Sequence, residues 1–195
     1  MTVQELLDAY AAGERNFVGI KISQQNQPQY AFSLKGVDLS GANLSRAFLY
    51  FGNFDGANLS GANLELTGMF TGSFEGANLS NTKMKGNSLR KTNLSKADLS
   101  GADLSGANLD DANLSGANLT GANLSKAAIN NANLSDTNLT GANLTDAYME
   151  NTNLRRANLT NANLTNTFMV QTDSSINIHE GMILTGAITT GTEGI

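Results

Sequence analysis

The sequence predicts an all-β solenoid, and three observations carry that prediction. The first is a period of five. From Leu34 to Met169 every fifth residue is large and apolar, 28 positions filled by 21 Leu, 4 Met, 2 Phe and 1 Ile. An α-helix repeats near 3.6 residues and a strand at 2.0, so neither alone gives this pattern. The second is a small residue two places before most of the large ones: Ala 17 times, Thr 6 and Gly 2 out of 28. The residue between them is Asn or Asp in 19 cases. The small and large residues therefore share one face of a short extended segment and the polar one points away. The third is the close of each unit, as in Ala117-Asn118-Leu119-Thr120-Gly121, where Gly, Asn, Asp or Lys suits a turn and Gly or Asn tolerates positive φ. A short side and a corner, repeated, turn steadily, and the backbone groups then pair with the coils above and below.

This Ala-Asn/Asp-Leu-X-X unit, in register over residues 32–171, resembles the pentapeptide-repeat family. Five letters are a weak motif alone, but 28 consecutive copies are specific. The resemblance implies a right-handed quadrilateral parallel β-helix with four units per coil, hence about seven coils. At roughly 4.8 Å per stacked layer that body is ~34 Å long.

The 20-residue coil is also legible in the residues themselves. Side one reads Leu34, Phe54, Phe74, Leu94, Leu114, Leu134, Leu154. Its two Phe are 20 apart, and their small partners, Gly52 and Gly72, are the only Gly in that role. A larger ring beside a smaller neighbour conserves volume. Side two is an unbroken Leu ladder from Leu39 to Leu159, and side three runs from Leu44 to Leu164. Side four is irregular: Leu49, Met69, Leu89, Leu109, Ile129, Met149, Met169, with the polar Asn87 at an inward position. A buried Asn needs partners, and neighbouring backbone is the expected source.

A solenoid exposes its core at both ends and needs caps. Thr2-Val3-Gln4-Glu5 has capping-box form, Val3, Leu6, Leu7 and Tyr10 make a helical stripe, and Gly13 is a natural stop. These predict a short N-terminal α-helix over residues 3–12 that lids the first coil. Phe17 and Ile22, five apart, read as a partial first coil, and Gln24 to Tyr30, with Pro28, as a loop that breaks the register. A helix followed by a repeat array is similar to cyanobacterial pentapeptide-repeat proteins with a helical cap. At the far end Asp173-Ser174-Ser175 reads as a turn, Ile176 and Ile178 as one strand, Met182 to Leu184 as another, and residues 190–195 as a disordered tail. The expected divisions are 1–31 for helix, partial coil and loop, 32–171 for the β-helix, and 172–195 for the C-terminal cap.

Composition narrows function. There is no Cys, which removes disulfides and thiolate chemistry, and the single His179 lies in the tail. No residue set suggests a catalytic centre, a cofactor or a metal site, and the chain is expected not to be an enzyme. No run approaches the apolar length of a membrane span, and the acidic N-terminus is not a signal peptide, so no membrane association and a cytoplasmic location are expected. The net charge of −5 sits mostly in the tail. Lys83, Lys85, Arg90, Lys91 and Lys96 form a basic cluster followed closely by Asp98, Asp103, Asp110 and Asp111. That reads as a solvated mixed surface rather than a nucleic-acid stripe.

One surface feature is not explained by the repeat. Phe48, Tyr50, Phe51 and Phe70 occupy outward or corner positions on side four over two adjacent coils, and Tyr148 and Phe168 lie further along the same side. Exposed aromatic clusters mark contact sites. The sequence leaves two readings open: the N-terminal segment covers the first group, or the group meets a protein partner or a second copy. The expected function is a protein-interaction or scaffolding module with a regulatory role, monomeric or weakly dimeric. The alternative that the family resemblance brings is a DNA mimic that binds a type II topoisomerase. A Ser/Thr ladder on side two, from Ser40 to Thr160, raises ice binding as a third reading.

Overall fold

The computed structural model describes residues 1–22, 32–170 and 181–189. The repeat units stack as parallel bridges 20 residues apart, for instance Asp38 to Asn58, Asn58 to Asn78 and Asn78 to Asp98 on side two. The same spacing holds on all four sides, so each coil has four short sides and four corners. The sides are too short to be continuous strands. Their backbone groups are nonetheless satisfied: Leu59 N–H donates to Asn78 O at 2.8 Å and Asn78 N–H to Ala57 O at 2.8 Å. At the corner Ala62 N–H donates to Leu59 O at 3.0 Å, and Gly61 between them has φ 66°. This is a type II turn, which requires a left-handed residue at its third position.

The small and large positions both face inward and, apart from the partly buried Val37, are buried from Leu34 to Met169. The Phe column is taller than the sequence suggests. Phe54 and Phe74 stack at 4.7 Å with rings 2° from parallel, and Phe32 caps them edge-on at 5.6 Å. Phe32 occupies an inward position that is mostly Ala or Thr elsewhere and is Gly52 and Gly72 in the next two coils of the same side. A Cβ at Gly52 would approach the rings of Phe32 and Phe54 to 2.6 Å each, so two rings, not one, exclude a side chain there. At Gly72 the nearest atoms are 3.1–3.2 Å away.

The outward Asn and Asp residues also hold the coil together. Asn78 Oδ1 accepts the Ser80 N–H at 3.0 Å, and Asn118 Nδ2 donates to Asp98 Oδ1 one coil away at 3.0 Å. The first bond fixes the approach to each corner and the second runs between coils. Inward Thr hydroxyls are satisfied similarly, Thr67 Oγ1 donating to Leu44 O at 2.9 Å. Asn87 meets the backbone as expected, Oδ1 accepting from Thr67 N–H at 3.0 Å, but its Nδ2 is buried with no partner.

Helix α1 spans Val3–Ala11 and carries the capping box, Glu5 N–H to Thr2 Oγ1 at 3.1 Å and Thr2 N–H to Glu5 Oε2 at 2.8 Å. Leu6 is fully buried against the core, and the Tyr10 hydroxyl donates to Ser40 O at 2.8 Å. The partial first coil is present: Asn16 bridges Asn43, Lys21 bridges Phe48, and Phe17 is buried. Both bridges span 27 residues, seven more than a coil, so the register break expected before Phe32 is real. The loop assigned to Gln24–Tyr30 lies outside the described residues. At the C-terminal end Ile183 bridges Asn163 and Ile188 bridges Phe168, so residues 181–189 add sides three and four of an eighth coil in register. Residues 173–178, His179 and the tail from 190 lie outside the described residues.

Candidate functional site

Side four departs from the repeat at its outward positions. Where the other sides carry Asn or Asp at all but Ser33, Ser73 and Lys83, it carries Phe48, Gly68, Ser88, Asn108, Ala128, Tyr148 and Phe168. The polar ladder is thereby interrupted at both ends of this side, and aromatic rings take its place.

At the N-terminal end the four sequence-derived residues come together. Phe48 meets Tyr50 edge-on at 5.9 Å, Tyr50 lies against Phe70 at 4.4 Å, and Phe70 meets Phe51 edge-on at 5.3 Å. The rings form one continuous chain across two coils. Tyr50 folds over Gly68, where a Cβ would run into its ring. Phe48 and Phe51 remain 43% and 41% exposed, while Tyr50 and Phe70 half-bury each other. Of the described N-terminal residues, Lys21 places its ammonium 4.8 Å from the Phe48 ring centre. Helix α1 reaches Ser40 on side two instead. Two shallow hollows flank the rings, one bordered by Lys21, Ile22, Phe32, Phe48 and Tyr50, the other by Phe51, Phe70, Thr71, Ser88, Arg90 and Lys91.

The backbone around this group is unusual. Sixteen non-glycine residues among those described take the left-handed corner conformation, and eight of them are Asn or Asp, which tolerate it. Only Phe51, Leu66 and Thr71 are apolar or β-branched there, with φ of 59°, 56° and 55°. All three stand on the two corners of side four in the first two coils. Leu66 is also 61% exposed. Left-handed backbone costs an L-residue roughly 1–2 kcal/mol, so bulky residues occupy these corners at the expense of stability.

Sequence reasoning found the four rings but missed Leu66, Lys21 and Gly68. Gly68 carried a readable signal, since it is the only Gly among the 28 outward positions, just as Gly52 and Gly72 are the only inward ones. The basic cluster is partly neutralised, Lys96 pairing with Glu75 at 3.0 Å and Arg90 with Asp111 at 3.3 Å. No group of three or more potential metal ligands occurs among the described residues. Among them, too, no helix is long and apolar enough to cross a membrane.

The stacked five-residue units define a repeat protein, and comparison with known families agrees. The Pentapeptide repeats family matches in eight copies over residues 33–67, 73–106, 97–136 and 132–173, and the chain belongs to that family. Solved structures similar to this chain include HetL, a pentapeptide repeat protein involved in heterocyst differentiation regulation from the cyanobacterium Nostoc sp. strain PCC 7120. It is 28% identical, covers 99% of this chain and 94% of its own, and has a TM-score of 0.43. Full-length QnrB1, a plasmid-mediated fluoroquinolone resistance protein, is 22% identical over 91% of this chain and 90% of its own, with a TM-score of 0.46. A further pentapeptide repeat protein from Nostoc Pcc 7120 is 32% identical over 65% of this chain and 80% of its own, with a TM-score of 0.42. No curated protein matches the chain.

Proposed function

We propose that this protein is a non-enzymatic interaction module in the cytoplasm, a right-handed quadrilateral β-helix of seven full coils that presents side four to a protein partner. The observation that carries the reading is the coincidence of exposed rings with strained corners. Phe51 and Leu66 are both exposed and both left-handed, where Asn or Gly would serve the fold better. Retaining apolar side chains at such corners favours contact over stability.

The double variant Phe51→Asn, Leu66→Asn tests this, because it removes apolar surface while relieving the backbone. Affinity capture from the source cell is expected to recover a partner with the native chain and to lose it with the variant. Retention of the same partner by the variant sinks the proposal. The type II topoisomerase alternative calls for a duplex-like acidic flank. Arg46, Lys85, Arg90 and Lys91 stand on or beside the N-terminal half of side four, so a gyrase supercoiling assay is expected to show neither inhibition nor protection from a quinolone.

A further inference from the structure

Side four carries a second apolar group at its other end. Tyr148, Phe168 and Ile188 bridge one another in successive coils, with Tyr148 56% and Ile188 48% exposed. Ser88, Asn108 and Ala128 occupy the middle of the face, and, Glu65 and Lys126 apart, charge is divided along its corners. Lys85 and Arg90 stand in coil three, Asp146 and Glu150 in coil six. One face thus has apolar groups near both ends, a basic band next to the first and an acidic band beside the second.

We propose that side four is self-complementary and joins two copies of this chain as an antiparallel two-fold dimer. This rests on reading side four as an interaction surface and names its partner. In an isologous interface residue i meets j and j meets i. A two-fold axis in the face, perpendicular to the solenoid and midway between coils four and five, sets coil one against coil eight, two against seven and three against six. Phe48 then meets Ile188, Phe168 faces the Tyr50 ring that covers Gly68, and the exposed Tyr148 faces the small Ser88. The same rotation keeps each corner on its own edge. Lys85 therefore faces Asp146, and Arg90 faces Glu150, each pair twice.

Other two-fold arrangements are disfavoured by charge. A parallel dimer, its axis along the solenoid, exchanges the two edges and sets Arg90 against Lys85 and Glu150 against Asp146. Moving the axis to coil four sets Asp110 against itself. Like charges opposed across an interface weaken association, and opposite charges favour the pairing and its register. The internal bond from Arg90 to Asp111 is long and exposed, so it does not hold Arg90 from a second carboxylate.

The area sets the strength. Eight coils at ~4.8 Å by three extended residues at ~3.3 Å give a face of ~380 Å², well under the ~800 Å² per partner of a standard interface. The dimer is accordingly weak, forming in the micromolar range or above, and salt-sensitive.

Sedimentation velocity over a concentration series tests this with two charge-reversed forms. One carries Lys85→Glu and Arg90→Glu, the other Asp146→Lys and Glu150→Lys, each checked for native circular dichroism. The native chain is expected to dimerise reversibly, each form alone to weaken by about tenfold or more, and their equimolar mixture to recover as a heterodimer. A native chain that stays monomeric to millimolar concentration overturns the proposal, as does a mixture no stronger than its components. The capture experiment above is scored separately. A monomeric native chain whose Phe51→Asn, Leu66→Asn variant still loses a captured partner overturns only the dimer. A charge-dependent dimer whose capture is unchanged by that variant overturns only the foreign-partner reading.

Discussion

A methyl group at residue 52 has nowhere to go. Phe32 and Phe54 both stand 2.6 Å from where it would lie, and neither ring can move without disturbing the column it belongs to. Gly52→Ala is expected to destabilise by about 1–3 kcal/mol through overpacking, read by denaturant unfolding. Gly61→Ala, at φ 66° in open space, is expected to lose only the roughly 1–2 kcal/mol of left-handed backbone. Asn87 offers the opposite case. Its buried, unpartnered Nδ2 costs desolvation that no bond returns, while Thr67 N–H, which Asn87 accepts, also donates to Leu64 O at 3.1 Å. Asn87→Thr matches the other inward Thr residues and is expected to stabilise by about 1–2 kcal/mol in the same measurement. Leu66→Asn alone is expected to raise stability by roughly 1 kcal/mol, since Asn accepts the corner conformation that Leu resists.

At the scale of elements, the cap and the corners matter most. Helix α1 closes the first coil through Leu6, and Leu6→Ala is expected to cost about 2–5 kcal/mol. In a stacked array that loss should appear first at the N-terminal end, as faster amide exchange in coil one than in coil six. The corners respond to acid. The Ser40 N–H and hydroxyl hold Asp38 below the usual carboxylate range, and the hydrogen-bonded Arg156 guanidinium does so for Asp136. A carboxylate depressed by folding adds stability above its unfolded value, near 4, and loses it as pH falls through the folded one. The melting temperature is therefore expected to decline below about pH 4, and less steeply in Asp136→Asn. Both groups are exposed, so the decline is shallow.

The whole molecule is a prism whose four faces are not equivalent. On sides one to three, outward Asn and Asp side chains bind the coils to one another, as from Asn118 to Asp98 and from Asn123 to Asp103. A face so occupied with itself has few free groups for a partner. Side four gives up part of that ladder. Its middle is held from a shifted position, Asn130 Nδ2 donating to Asp110 Oδ1 at 3.0 Å, and its ends expose rings. Salt dependence distinguishes the terms at this scale. Raising ionic strength is expected to weaken self-association while leaving the melting temperature of dilute monomer nearly unchanged, because the core is apolar and the body is almost neutral.

The five-residue period alone determined the solenoid, because only a closed coil places every fifth residue inside. The Phe–Gly coincidences determined its 20-residue circumference, because volume must balance between neighbouring coils. Helix α1 was legible because capping and amphipathic spacing are local properties. Tertiary structure decided what depends on contacts between coils. It placed Phe32 on the Phe column, returned residues 181–189 to register as a further half coil, and set the Lys21 ammonium beside the 43% exposed Phe48 ring. It also showed which corners are strained, since Phe51, Leu66 and Thr71 look like ordinary turn residues until the stacking of coils holds their φ positive. A periodic sequence fixes what repeats, while the exceptions acquire meaning only from the neighbours that stacking brings beside them.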